Sequence, residues 1–192
     1  MTASGHGSTS ESGFTLVEIL VTAVIIAFGL LGLAGLQARM ATTQMEAYQR
    51  AHALVLAEDM VARINSQRGA AKDGGYAVAG VMTEIASVQP GAQDQEDCDD
   101  VEPIPDRDQC EWGLALGGAD AVDEVKGFLG ALIGARGCIE WLSGNPVDLR
   151  VSVAWQGLTE TQAPALPCGE GQYGNEAMRR VLAIRVTLAD LN

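Results

Sequence analysis

The stretch Gly13-Phe14-Thr15-Leu16-Val17-Glu18, which runs without a break into apolar sequence ending at Leu36, decides the architecture of this chain. No charged side chain occurs from Ile19 to Ala38. As a helix, residues 14–36 extend about 34 Å at ~1.5 Å per residue, enough to cross a hydrocarbon core of ~30 Å. A simple anchor has no use for Glu18, one helical turn into the apolar run, where an unpaired carboxylate costs about 2 to 3 kcal/mol even on lenient insertion scales. That residue needs a counter-charge. Snorkelling to the headgroups is the plainer alternative.

Gly13-Phe14-Thr15-Leu16-Val17-Glu18 resembles the class III signal of type IV pilins and pseudopilins, which a membrane peptidase cuts after the glycine before methylating the new amino terminus. The continuation Gly29-Leu30-Leu31-Gly32-Leu33-Ala34-Gly35-Leu36-Gln37 resembles PilV-type minor pilins in particular. A secretory signal is cut after its apolar segment; here the cut precedes it. The resemblance implies a leader over residues 1–13, cleavage between Gly13 and Phe14, N-methylation of Phe14, and Glu18 as the assembly residue that pairs with a neighbouring subunit's Phe14 ammonium. A pair in low dielectric is costly to leave half made, so Glu18 then acts as a register mark between packed helices.

The leader is rich in Ser, Thr and Gly, and its composition predicts disorder. It carries no Lys or Arg, so positive-inside placement has little support from charge, and Arg39 on the far side opposes it mildly. Topology rests on the motif. The resemblance places the chain in the inner membrane as a single-pass protein with its C-terminal domain in the periplasm, and later at the pilus or cell surface. Its partners are then other minor and major pilins, through the N-terminal helix, and the prepilin peptidase.

Gly29, Gly32 and Gly35 recur every three residues within the span, with Ala34 and Ala38 as small neighbours. Such a face allows close helix packing, and it also loosens a helix by roughly 1 kcal/mol per glycine relative to alanine in water. Both readings are compatible. Beyond Leu36 the sequence is amphipathic, with Met40, Ala47, Ala51, Leu54, Ala57, Val61 and Ile64 at helical steps and the pairs Glu46/Arg50 and Asp59/Arg63 four residues apart. One helix over about 14–65 is expected, residues 14–36 spanning the membrane and 37–68 packing on a domain formed by 69–192.

The chain has 192 residues, 47% of them apolar, which leaves one small domain beside the span. Its net charge is −13, or −12 once Glu11 leaves with the leader, which argues against nucleic-acid or anionic-lipid binding by the domain. Nine acidic residues lie between Asp94 and Glu111 against Arg107 alone. Calcium is one reading of such a cluster, but the spacing fits no EF-hand loop, and a solvated acidic loop is the expectation. Cys98, Cys110, Cys138 and Cys168 all follow the span; in a periplasm an even count reads as disulfides. Three pairings are possible, of which the sequential one, Cys98 with Cys110 and Cys138 with Cys168, is favoured because it closes the like-charged loop. Zinc is disfavoured by the absence of a C-x2-C pair, and His52 reads as a helix-surface or domain-contact residue.

Gly69, Gly74, Gly75, Gly80, Pro90 and Gly91 interrupt residues 66–105, where only 76–88 is long enough for a short helix or strand. Val122, Val125, Phe128, Leu129, Leu132 and Ile133 form a stripe that predicts a short helix within 119–135. Strands are expected at 138–142, at 149–156, where Leu149, Val151, Val153 and Trp155 alternate with polar or small residues, and at 181–188. Gly137-Cys138-Ile139, the run from Val151 to Gly157, Cys168 and Arg179-Arg180-Val181 again resemble PilV-type proteins. The expected fold is α+β: a pilin-like lollipop with a long N-terminal helix on a small antiparallel sheet. No nucleophile elbow, Walker loop or HExxH is present, and only His52 remains outside the leader, so neither catalysis nor a cofactor is expected.

Overall fold

The computed structural model describes residues 13–87, 98–118, 122–123, 127–128 and 132–189. The leader expectation for residues 1–12 lies outside them. A single helix, α1, runs Leu16–Ser66 without a Gly or Pro break after Gly35. The chain divides into two units, Met1–Gln44 and Met45–Asn192. In the first, every described residue from Gly13 to Ala41 is exposed. By length and hydropathy this exposed apolar stretch is sufficient to cross a hydrocarbon core.

In the second unit α1 buries Gln49, Ala53, Leu56, Ala57, Met60 and Ile64. This corrects the expected stripe, of which only Ala57 and Ile64 are buried, while Ala47, Ala51 and Leu54 are exposed. Small and apolar residues occur on more than one face of this helix, so spacing alone does not select the docked one. Tertiary contacts select it. The Asp59/Arg63 pair forms at 2.9 Å, whereas Glu46 pairs with Arg180 instead of Arg50.

A five-residue helix α2 (Arg68–Lys72) leads to strand β1 (Met82–Ala86). After a single 3-10 turn at Cys98–Asp100, helix α3 occupies Ile104–Leu116. The acidic-loop expectation is therefore overturned for residues 104–111, and residues 94–97 lie outside the described set. Pro105 sits in the first turn of α3, where a missing N–H costs no intrahelical bond. Pro105, Trp112, Ala115 and Leu116 face inward, and two of the acids are used internally. Arg63 of α1 pairs with both Asp108 (3.4 Å) and Glu111, and the buried Tyr76 hydroxyl donates to Asp108.

The helix expected within 119–135 is also corrected. Of its described residues, Val122–Asp123 (β2) and Gly127–Phe128 (β3) form two short antiparallel strands and 132–135 are loop and turn, while residues 119–121, 124–126 and 129–131 lie outside the described set. A stripe rich in Val and Phe suits a pleated surface as well as a helix, which periodicity over so short a run cannot separate.

Strands β4 (Arg136–Gly144), β5 (Val147–Gln156) and β6 (Arg179–Leu188) complete an antiparallel sheet in the order β1-β4-β5-β6. Gly144 pairs with Val147 around Asn145-Pro146, the expected turn, and a register shift between Trp141 and Ser143 bulges β4. The long, apolar β5 is central, with Leu149, Val151, Val153 and Trp155 facing the α1 side of the core. The period-two pattern predicts that its other face is open. Ser152 and Ala154 are instead buried, because Cys138, Cys168, Tyr173 and Val181 cover Ala154. The architecture is α+β, with a long apolar N-terminal helix whose C-terminal part packs on a four-stranded antiparallel sheet with further short helices.

Trp112 is the central wedge of this packing. It is fully buried, and its indole Nε1 donates to the Leu56 carbonyl of α1 at 2.8 Å. Its ring lies on Gly137 of β4, where a Cβ would come within 2.2 Å of the ring. Only glycine leaves room for it.

Candidate functional site

At the start of α1, Thr15 occupies the cap position. Its hydroxyl accepts the Glu18 N–H at 3.3 Å and its carbonyl accepts the Glu18 and Ile19 N–H groups at 3.1 and 3.3 Å. Glu18 thereby falls in the first helical turn, where the positive end of the helix favours a carboxylate. The Glu18 side chain is exposed and takes no hydrogen bond or ion pair from the described residues of its own chain. Gly13 precedes the helix in an open segment, and a Cβ built on it meets nothing within 4 Å. The fold therefore imposes no glycine at position 13; any such requirement belongs to whatever acts on this bond.

Residues 8–34 match the family model of the prokaryotic N-terminal methylation motif. The segment carries a pilin-type signal. This match supports a type IV pilin or pseudopilin family protein, and it implies processing by prepilin peptidase and association with a membrane or pilus. It covers Gly13, Phe14 and Glu18 and the glycines at 29 and 32, and it ends before the domain. No curated protein and no solved structure matches the chain. With this pilin-type motif, the exposed apolar half of α1 reads as a membrane anchor.

The domain contributes a second constellation, one that sequence reasoning missed. Glu46 Oε1 accepts from the Leu158 N–H (3.2 Å), the Thr159 N–H (3.0 Å), the Thr159 hydroxyl (2.7 Å) and Arg180 Nη2 (3.3 Å). The Thr159 hydroxyl is the main reason its carboxyl lies below the ordinary value of 4.5, with Arg180 and the two backbone donors adding to it against partial burial. Arg180 reaches Glu46 across Gly157, where a Cβ would fall 2.7 Å from the guanidinium carbon. Neighbouring Arg179 is buried and gathers the 164–176 loop: its guanidinium donates to the carbonyls of Pro164, Leu166 and Cys168 and pairs with Glu176. The signal for both sites was Gly157 and Arg179-Arg180, residues already noted for their resemblance to PilV-type proteins.

Replacing Glu46 by glutamine is expected to cost about 1 kcal/mol, since the lost bonds to a charged acceptor are partly offset by solvent at this half-exposed site. Because the folded carboxyl is held below its ordinary value, its contribution is present above about pH 4.5 and fades as pH falls through the depressed value. Urea unfolding at pH 7 and pH 3 checks this, the wild-type advantage over the variant shrinking in acid.

Cys98 bonds to Cys110 and Cys138 to Cys168, the sequential pairing, and no free cysteine remains. The first joins the 3-10 turn to α3, and the second pins the loop that carries Cys168 on β4. His52 is half-buried and stacks with Tyr48 at 6.2 Å between ring centroids. Among the described residues no group of three His, Cys, Asp or Glu is placed to hold a metal ion. Gly29, Gly32 and Gly35 meet no neighbour from their own chain, and Gly32, Gly35, Leu36 and Arg39 border an open groove of about 300 Å³.

Proposed function

We propose that this chain is a PilV-type minor pilin, cut after Gly13, methylated on Phe14, and held in the inner membrane by residues 14–36 with its domain in the periplasm until it joins a complex that primes or tips a type IV pilus. The carrying observation is Glu18, a carboxylate on an exposed apolar helix with no partner in its own described chain. A lone buried acid is expensive; one paired by a neighbouring subunit's new amino terminus turns an anchor into a polymer contact.

The proposal also holds that the domain is structural rather than enzymatic. The polar recess at the end of β4 and β5 is lined by Arg136, Gln156, Gln172 and Tyr173; Arg136 is tied to Glu84 at 3.0 Å and the Tyr173 hydroxyl to the Gly134 carbonyl at 2.8 Å. Arg136 and Tyr173 are thereby occupied in holding the fold.

The methylation motif is shared by the pseudopilins of type II secretion, and shearing separates the two readings. Recovery of the mature chain in sheared surface filaments supports the minor pilin; its confinement to cells, with secretion lost on deletion, supports the pseudopilin. A membrane-tethered binding module or enzyme is a third reading, and it predicts that Glu18→Ala leaves function intact.

A further inference from the structure

Two opposite charges on the exposed half of α1 are left without ion-pair partners among the described residues: Glu18 near its start and Arg39 just past the apolar run. They are 21 residues apart, about 32 Å along the axis, and at ~100° per residue they fall within about 60° of one another around the helix. Arg39 also lines the shallow groove beside Gly32, Gly35 and Leu36. No added Cβ at either glycine would touch its own chain, so the groove is open to an occupant.

We propose that this groove receives the first helical turn of a second copy of the chain, advanced by about 21 residues, with the incoming Glu18 on Arg39. The inference rests on the assembly reading above and specifies one of its contacts. In this register residue 14 of the incoming helix faces residue 35, so the bulky, exposed Phe14 meets Gly35 while Glu18 meets Arg39. A large side chain against a glycine lets helices approach closely, and the charge pair removes the cost of leaving either ion in an apolar surrounding. Glu18 has two oxygens and serves both Arg39 of this neighbour and the Phe14 ammonium of another.

The contact uses different surfaces on the two copies, so it is heterologous and does not close as a two-fold dimer.

The test places a photo-crosslinking amino acid at position 36 of the full chain, co-expressed with a differently tagged unlabelled copy and the rest of the assembly system, and maps the adducts by mass spectrometry. The expected adduct lies within residues 14–22 of the second copy. Arg39→Glu should lower its yield at least fivefold and Arg39→Lys should keep at least half of it; Arg39 is exposed and outside the domain core, and intact disulfides would show that the domain still folds. Adducts at residues 29–36 of the second copy would mean in-register packing and would overturn the proposal. So would adducts only with other proteins or lipid, or a yield indifferent to Arg39→Glu. Loss of the adduct while Glu18→Ala still blocks incorporation would remove this contact alone; normal incorporation of Glu18→Ala would remove the assembly reading.

Discussion

Glu18→Ala is expected to leave the amount of membrane-inserted, cleaved protein near wild type and to lower its incorporation into filaments by two to three orders of magnitude. Insertion should not suffer, because removing a carboxylate from an apolar helix saves about 2 to 3 kcal/mol. Assembly should, because a neighbour's Phe14 ammonium is then left uncompensated in low dielectric, and breaking one side of such a pair costs about 3 to 5 kcal/mol, each ~1.4 kcal/mol being tenfold. Comparison of immunoblots of membranes and of sheared filaments reads the two effects separately. Glu18→Gln keeps the shape and the cap geometry at Thr15 and loses only the charge, so it should fail in the same way. Equal incorporation of either variant contradicts the pairing argument.

Trp112→Ala is expected to be the most damaging single change in the domain, at about 3 to 5 kcal/mol. The residue is fully buried between α1, α3 and β4, and truncation leaves a cavity above Gly137 together with an unanswered bond at the Leu56 carbonyl. Trp112→Phe should cost less, since most of the ring remains and only the indole N–H is lost. Conversely, Gly137→Ala should be disruptive despite its size, because the added methyl falls 2.2 to 2.8 Å from ring carbons of Trp112 and both sit on regular elements that resist shifting. Thermal unfolding of the full chain in detergent, followed by circular dichroism, ranks the three. A small effect of Trp112→Ala would mean that α3 is not what locks α1 to the sheet.

Much of this architecture is legible in the sequence because its strongest signals are long. The uncharged run and the helical spacing beyond it predict one helix over 14–65, and α1 is Leu16–Ser66. The alternation around Val151 and Val153 predicts β5, and four cysteines predict two bridges. What spacing does not show is which of several apolar faces docks. On α1 that choice is made at a distance, by Trp112 and by the Glu46 contacts with Thr159 and Arg180, so the buried residues are Ala53, Leu56 and Met60 in place of Ala51 and Leu54.

The misread elements fail for related reasons. In α3 the acids Asp106, Asp108 and Glu111 lie close together, and the inward-facing Pro105, Trp112 and Leu116 are too sparse to signal a helix until Arg63 and Tyr76 supply partners for Asp108 and Glu111. Within 119–135 a Val and Phe stripe serves strand or helix equally, and the pairing of Val122 with Phe128 decides it. At the candidate site the motif residues Gly13, Phe14 and Glu18 are readable one by one. The Glu46 constellation is not, because its members come from three separate parts of the chain.

The account stands on maturation at one bond, and intact mass with amino-terminal sequencing of the protein purified from its own membranes measures that directly. The predicted result is a chain that begins at Phe14, heavier by a single methyl group on its amino nitrogen, and that becomes uncut precursor when Gly13 is replaced by a bulky residue. A purified protein that still carries residues 1–13 in wild type, or one cut anywhere beyond the apolar run, would contradict it.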